Sequence, residues 1–180
     1  MEKKPFVTLA QAEEIAKTYP TPFYLYDEKG IRENVKHLKQ AFSWNKGYKE
    51  YFAVKATPNP FILKILQEYG CGTDCSSLTE LMMSDRCGFA DGNSIMFSSN
   101  ETPAEEFILA KKLGAIINLD DITHIDFLKD ACGIPERICC RYNPGGYFSL
   151  GTDIMDNPGD AKYGMTKPQI FEAFKRLKRE

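Results

Sequence analysis

The chain has 180 residues, a length typical of one folded domain, with 43% hydrophobic and 27% charged residues. This composition is typical of globular proteins and argues against a disordered chain. The net charge is −2 and the 23 basic residues are spread along the chain, so the sequence shows no basic patch for nucleic acid.

The first predicted elements lie in the N-terminal quarter of the chain. A run of apolar and aromatic residues predicts a strand at residues 22–26. Apolar residues at helical spacing then predict a helix over about residues 28–42. Both elements precede a regular series of strands.

The strongest pattern is a repeat of short β-rich segments. Five of these segments begin 21 or 22 residues apart, at Tyr51, Thr73, Ile95, Ile116 and Ile138. The stretches between them have helical spacing, as in residues 60–69, where the apolar side chains share one face. A strand, a loop and a helix within about 22 residues make one βα unit.

Residues at the predicted helix starts support this division. Ser77 and Glu80 have the spacing of a capping box. Pro103 is predicted at the first helical position of the next helix. Asp120 or Asp121 is predicted to cap the helix after that.

Repeated βα units are compatible with a doubly wound sheet or with a (β/α)8 barrel. A Rossmann-type sheet has a glycine-rich turn after its first strand, whereas residues 57–60 here are Thr-Pro-Asn-Pro. The sequence therefore predicts an α/β fold of the TIM-barrel type. Only about five units are present and a closed barrel needs eight, so we expect the N-terminal part of an incomplete barrel.

The sequence predicts neither a membrane segment nor a metal site. No apolar run approaches the ~20 residues that span a bilayer, and no apolar segment follows Met1 as in a signal peptide. The six cysteines form no CxxC pair, and two histidines complete no zinc ligand set. We expect reduced core thiols and a cytoplasmic location.

In βα barrels the functional side chains follow the carboxyl ends of the strands. The residues at these positions are Lys55, Asp74, Ser76, Ser77, residues 98–100, Asp120, Asp121, Arg141 and Asn143. The two serines are most simply helix caps. Residues 143–146 are most simply a turn, because no helix begins directly behind them to bind a phosphate.

Lys55 is the sharpest of these candidates. It directly follows the strand at residues 51–54, so its amine is expected to point into the barrel mouth. An amine in apolar surroundings has a lowered pKa, and the neutral amine attacks carbonyl groups to form a Schiff base. The alternative is a lysine that extends from the strand end into water.

Asp74 and Arg141 each have more than one interpretation. Asp74 is an acid, a hydrogen-bond acceptor or part of a turn. Arg141 ends an apolar strand, where burial of its charge requires an anionic partner. That partner is either a carboxylate of the protein, in a structural ion pair, or the phosphate or carboxylate of a ligand.

Five motifs in this order resemble those of the fold-type III pyridoxal-phosphate decarboxylases. This family includes diaminopimelate, ornithine, arginine and carboxynorspermidine decarboxylases. The second motif, Phe-Ala-Val-Lys-Ala followed by Asn-Pro, surrounds Lys55. The motifs lie at residues 21–27, 52–60, 72–80, 141–145 and 162–165, and the similarity extends from about residue 18 to residue 170.

The resemblance implies that Lys55 binds pyridoxal 5′-phosphate as a Schiff base, and that Asp74 and Arg141 line the cofactor pocket. It also implies a homodimer with Lys162 near the interface. Residues 1–27 are then an opening segment whose strand belongs to a second β domain, and residues 28–180 are a partial cofactor-binding barrel. The remaining barrel strands and the β domain are absent from these residues.

The activity that the resemblance implies is decarboxylation of an amino acid. The length of the segment at residues 143–162 resembles the diaminopimelate and carboxynorspermidine branches, whereas Thr79 resembles the ornithine branch. We favour conversion of meso-diaminopimelate to lysine, in lysine biosynthesis. The family's ring-stacking histidine, phosphate loop and C-terminal cysteine are not found in these residues.

A non-catalytic relative is the alternative from another class. It is either a pyridoxal-phosphate carrier built on the barrel alone or a decarboxylase-like regulator. The strand predicted at residues 22–26 argues against the carrier, and Lys55 argues against the regulator. We expect the isolated 180-residue chain to be poorly soluble and inactive, because an unclosed barrel leaves strand edges unpaired.

Overall fold

The computed structural model describes residues 4–146, 159 and 163–180. The chain divides into two compact units, Met1–Lys46 and Gly47–Glu180. Lys162, which is predicted to lie near a dimer interface, is outside the described residues. Within the described part of the chain, no helix combines the length and the apolar character needed to cross a membrane.

The first unit contains two helices, α1 (Leu9–Thr18) and α2 (Glu28–Ala41). Helix α2 agrees with the helix predicted from the sequence. Helix α1 was not predicted from the sequence, although Thr8 and Gln11 form a complete capping box at its start. The capping residues were therefore a better indicator of this helix than the pattern of its apolar residues.

The strand predicted at residues 22–26 is not formed in the structure. A strand needs a partner for its backbone N–H and C=O groups. Of the five strands that the described residues form, none pairs with this segment. Its side chains are exposed instead, with Tyr24 89% exposed and its ring stacked on Tyr26 at 6.4 Å between centroids.

The second unit is an α/β structure built on one parallel sheet. Its strands are β1 (Tyr51–Ala53), β2 (Gly72–Cys75), β3 (Ile95–Phe97), β4 (Ile116–Leu119) and β5 (Ile138–Cys140). Each strand pairs with the next one in the chain, so the order in the sheet is β1-β2-β3-β4-β5. This agrees with the predicted series of βα units, except that Val54–Ala56 form a 3₁₀ turn after β1.

Helices follow the strands and cover one face of the sheet. They are α3 (Pro60–Glu68), α4 (Leu78–Arg86), α5 (Ala104–Lys112) and α6 (His124–Cys132), with α7 (Lys167–Leu177) at the end. The core lies between these helices and the sheet. Its fully buried members include Val54, Leu63, Phe97, Phe107, Leu119 and Leu128.

The helix caps follow the sequence only in part. Ser77 caps α4 as predicted, since its hydroxyl accepts a hydrogen bond from the backbone N–H of Glu80. Pro103 is the N-cap residue of α5 and not its first helical residue, so this helix begins one position later than predicted. The fixed φ of proline suits either position.

Neither Asp120 nor Asp121 caps α6, contrary to the sequence prediction. The helix begins at His124, and its N-cap residue is Thr123. The Asp121 carboxylate accepts hydrogen bonds from the backbone N–H and the hydroxyl of Thr123, in the turn before the helix. The Asp120 carboxylate turns away from the helix, because it pairs with Arg141.

Polar side chains close the amino-terminal end of the sheet. The backbone carbonyl of Asn93 accepts hydrogen bonds from Lys49 Nζ at 2.8 Å and from the Tyr51 hydroxyl at 2.7 Å. Arg137 donates to the Gly92 carbonyl and to the Asn93 side chain. These contacts fix the loop before β3 and lie at the opposite end from the predicted site.

Candidate active site

Polar side chains share the face of the sheet that the helices leave uncovered. Neighbouring residues of a strand point to opposite faces, and Cys75, Phe97, Leu119 and Cys140 all pack in the helix-side core. The residues next to them therefore face the other way, near the carboxyl ends of the strands: Asp74, Ser98, Asn118, Asp120 and Arg141. This is the face that forms the interior of a barrel.

Asp74 is the half-buried centre of this group. Burial raises the pKa of its carboxyl group above the ordinary value, against the opposing effects of a hydrogen bond with Ser98 and the positive charges of Lys55 and Arg141. Its Oδ1 atom is buried and has no hydrogen-bond partner among the described residues. A buried, unpartnered carboxylate oxygen is costly, which indicates that a ligand supplies the missing donor.

Lys55 lies in the 3₁₀ turn after β1 and not at the end of the strand itself. Its side chain is exposed, which agrees with the alternative of a lysine that extends from the strand end into water. Its positive charge opposes the rise in the pKa of Asp74 that burial causes. The exposed amine is accessible to a carbonyl compound.

Arg141 makes the ion pair that the sequence left as one of two alternatives. Its Nη1 donates to Asp120 Oδ1 at 3.1 Å, and its guanidinium lies 4.9 Å from the centre of the Tyr163 ring. The Arg141 side chain nevertheless remains 44% exposed, whereas that of Asp120 is only 8% exposed. The ion pair therefore leaves part of the guanidinium accessible to a ligand.

A side-chain contact joins the ends of β3 and β4. The side-chain amide of Asn118 donates to the Ser98 hydroxyl at 3.4 Å, and Ser98 acts to lower the pKa of Asp74. Ser98 was among the residues expected at strand ends. Asn118 was missed, although a single polar residue within an apolar strand is a recognisable indication of a polar inner face.

The remaining predicted candidates have structural roles. The Glu80 carboxylate accepts hydrogen bonds from the backbone N–H of Ser76 and from the hydroxyls of Ser76 and Ser77, which fixes the start of α4. The side chain of Asn143 accepts from the backbone N–H of Gly145, so residues 143–146 form the predicted turn. Within residues 4–146, 159 and 163–180, no His, Cys, Asp or Glu side chains cluster as metal ligands.

The donor set fits pyridoxal 5′-phosphate, the cofactor that the sequence motifs imply. Lys55 offers an amine for an aldehyde, and Arg141 offers a guanidinium for an anionic group. The buried Oδ1 of Asp74 has no partner among the described residues and can accept a hydrogen bond from a ligand. All three are properties of a site for an aldehyde that also carries negative charge.

The raised pKa of Asp74 predicts a pH-dependent cost in stability. A carboxyl group whose pKa is higher in the folded state stabilises the fold below its ordinary pKa of 3.8 and loses this contribution as the pH rises. Asp74→Asn is therefore expected to raise the free energy of unfolding at neutral pH, by up to about 1 kcal/mol at this partly open site. The gain should vanish below about pH 4 in urea titrations.

Asp91→Asn is the matched control for this prediction. Burial alone would raise the pKa of Asp91, but hydrogen bonds from the Ser94 hydroxyl and the Asn93 backbone N–H outweigh it and lower the pKa. The sign of the effect is therefore reversed, and this variant should lose stability at neutral pH. A loss of stability in Asp74→Asn at neutral pH would contradict the assignment.

Comparison with known proteins identifies the family of this chain. The family described as "Pyridoxal-dependent decarboxylase, pyridoxal binding domain" matches residues 28–180. Protein TabA of Pseudomonas amygdali pv. tabaci is 36% identical over 163 residues, which cover 91% of this chain and 37% of TabA. A diaminopimelate decarboxylase of Helicobacter pylori (strain J99) is 32% identical over 166 residues, 90% of this chain and 40% of the enzyme.

The structural comparison gives the same result. The crystal structure of diaminopimelate decarboxylase from M. jannaschii in complex with L-lysine superposes with a TM-score of 0.81 at 26% identity, covering 94% of this chain and 42% of that enzyme. The chain thus spans about 40% of the length of its relatives. The predicted fold is confirmed as part of a TIM-type α/β barrel. The chain belongs to the pyridoxal-dependent decarboxylases, as their pyridoxal-binding domain.

Proposed function

We propose that this chain is the cofactor-binding part of a pyridoxal 5′-phosphate-dependent amino-acid decarboxylase, with Lys55, Asp74 and Arg141 at its site. The observation that carries the proposal is the position of Asp74 near the carboxyl end of the sheet. Its buried Oδ1 has no hydrogen-bond partner among the described residues, and the positive charges of Lys55 and Arg141 act on its pKa. When bound, the cofactor supplies the electron sink that accepts the charge left by the departing carboxylate.

The residues of the chain have distinct tasks in this proposal. Lys55 provides the exposed amine that binds the aldehyde covalently. Asp74 accepts a hydrogen bond from the bound cofactor at Oδ1 and balances the charges of Lys55 and Arg141. Arg141 presents a partly exposed guanidinium to an anionic group of the cofactor or the substrate.

The rest of the proposal concerns the complete protein. We propose that residues 1–27 lead into the barrel and that the exposed aromatic segment at residues 22–26 pairs with a second β domain. We also propose a homodimer with Lys162 near its interface. We propose a reducing location such as the cytoplasm, which the six cysteines support because they form no disulfide with one another.

For the substrate, we propose meso-diaminopimelate, with lysine as the product. The similarity to several diaminopimelate decarboxylases supports this choice. The similarity to Protein TabA extends over as much of the chain, so a related amino acid is the second candidate. Release of carbon dioxide from a panel of diaminopimelate, ornithine, arginine and carboxynorspermidine distinguishes these substrates.

The decisive experiment is borohydride reduction of the natively expressed protein, followed by intact mass measurement and peptide mapping. We expect one pyridoxyl group, and we expect it on Lys55. An unmodified protein would contradict the proposal and would favour a decarboxylase-like regulator. Modification at another lysine would support the family but overturn the site.

A further inference from the structure

The Asp120 carboxylate is a buried charge that the proposed chemistry does not use. Its side chain is 8% exposed at the carboxyl end of β4, and its Oδ1 accepts a hydrogen bond from Arg141 Nη1. A buried carboxylate is stable only when it is paired. Arg141 is the partner of this carboxylate, although its own side chain is 44% exposed. The buried Asp120 therefore holds one end of the exposed Arg141 guanidinium in place.

A second contact holds the same guanidinium from another direction. The Tyr163 ring lies 4.9 Å from the Arg141 guanidinium, within the range of a cation–π interaction. The chain around Tyr163 is itself fixed, since Met165 is fully buried and its backbone N–H donates to the Arg141 carbonyl at 2.8 Å. Gly164 allows this close approach, because a Cβ there would lie 3.2 Å from Arg141 Cγ.

We infer that Asp120 and Tyr163 are positioning residues, which fix the Arg141 guanidinium so that its exposed part faces an anionic group at the site. The guanidinium is planar, so the hydrogen bond from Nη1 to Asp120 and the contact with the Tyr163 ring together determine its orientation. A fixed guanidinium binds an anion more tightly than a mobile one, since less conformational entropy is lost. The identity of the anionic group, as part of the cofactor or the substrate, rests on the proposed function. The fixed orientation of the Arg141 guanidinium does not.

The orientation is tested by nitrogen-15 NMR of the arginine side chains, with the Arg141 signal assigned from its absence in Arg141→Lys. In the wild-type protein we expect slow solvent exchange of the Arg141 side-chain N–H groups. Asp120→Asn should accelerate this exchange at least tenfold, the factor that corresponds to the loss of a charge-assisted hydrogen bond. Asp121→Asn, the same change at the next residue, should leave it unchanged.

Two substitutions of Tyr163 test the second contact independently. The Tyr163 side chain is 36% exposed, so its replacement leaves the core intact. Tyr163→Leu removes the ring and should accelerate the exchange, whereas Tyr163→Phe keeps the ring and should preserve the wild-type rate. Equal rates in all four variants would overturn the inference. So would equal acceleration by Asp121→Asn, which would indicate general loosening of the fold.

Titration with pyridoxal 5′-phosphate connects the orientation to binding. Asp120→Asn and Tyr163→Leu should raise the dissociation constant of the cofactor about tenfold, measured by protein fluorescence, while Asp121→Asn and Tyr163→Phe remain near wild type. Unchanged affinity in the first two variants would overturn the role in binding. If the wild-type protein binds no cofactor but the exchange rates follow the expected pattern, the proposed function fails and the positioning of Arg141 stands.

Discussion

Replacement of Lys55 by alanine is expected to abolish the visible absorbance that pyridoxal 5′-phosphate acquires when it binds a protein amine. Alanine has no nucleophile, so the aldehyde loses its covalent partner entirely. Lys55 is exposed in the turn after β1, so the substitution removes the amine without opening a cavity in the core. Difference absorbance spectra at saturating cofactor concentration measure the effect.

Lys64→Ala is the matched control, since Lys64 is an exposed lysine on the neighbouring helix α3. This variant should keep the full wild-type absorbance. Thermal unfolding of both variants should match the wild type, because neither side chain is buried. Wild-type absorbance in Lys55→Ala would show that another amine holds the cofactor, and the site would have to be reassigned.

Phe107→Ala is expected to destabilise the second unit severely. Phe107 is 2% exposed on α5, and its ring makes edge contacts with the rings of Phe97, His124 and Phe127 at centroid distances of 6.1, 5.9 and 6.1 Å. Removing a buried phenyl ring typically costs about 3–5 kcal/mol. This is a large fraction of the stability of a typical domain.

The neighbouring residue supplies the control for this prediction. Ile108 is 47% exposed on the same helix, so Ile108→Ala should change the free energy of unfolding by about 0.5 kcal/mol or less. Urea denaturation followed by circular dichroism measures both variants. Similar free energies for the two would mean that α5 does not pack on β3 through Phe107.

The sheet was largely predictable because most of its strands are short apolar runs that recur every 21 or 22 residues, with stretches of helical spacing between them. Strands β1, β3, β4 and β5 begin where the sequence predicted, and β2 begins one residue earlier. The strand predicted at residues 22–26 stays a prediction, because apolar and aromatic composition shows what a segment prefers and the described residues contain no strand that pairs with it.

The sequence was sufficient to predict which residues belong to the candidate site, but not which contacts those residues make. The position at the carboxyl end of a strand identifies Asp74, which lies within β2, and Arg141, which follows β5, since strand ends of a parallel sheet meet at one edge. The contact of Arg141 with Tyr163 depends on how the chain returns after 21 intervening residues, which no local pattern encodes. Asp120 was assigned to a cap because the true start of α6 was not recognisable from the sequence.

A ribosome releases the five strands in the order in which they occupy the sheet. At about 5–20 residues per second, synthesis of one βα unit takes on the order of seconds, whereas a helix forms within about a microsecond. Each strand pairs with the strand that precedes it in the chain, so its partner has already been synthesised when it emerges. Parallel pairing is nevertheless slow compared with helix formation, so an emerging strand edge stays unpaired while the next unit is made.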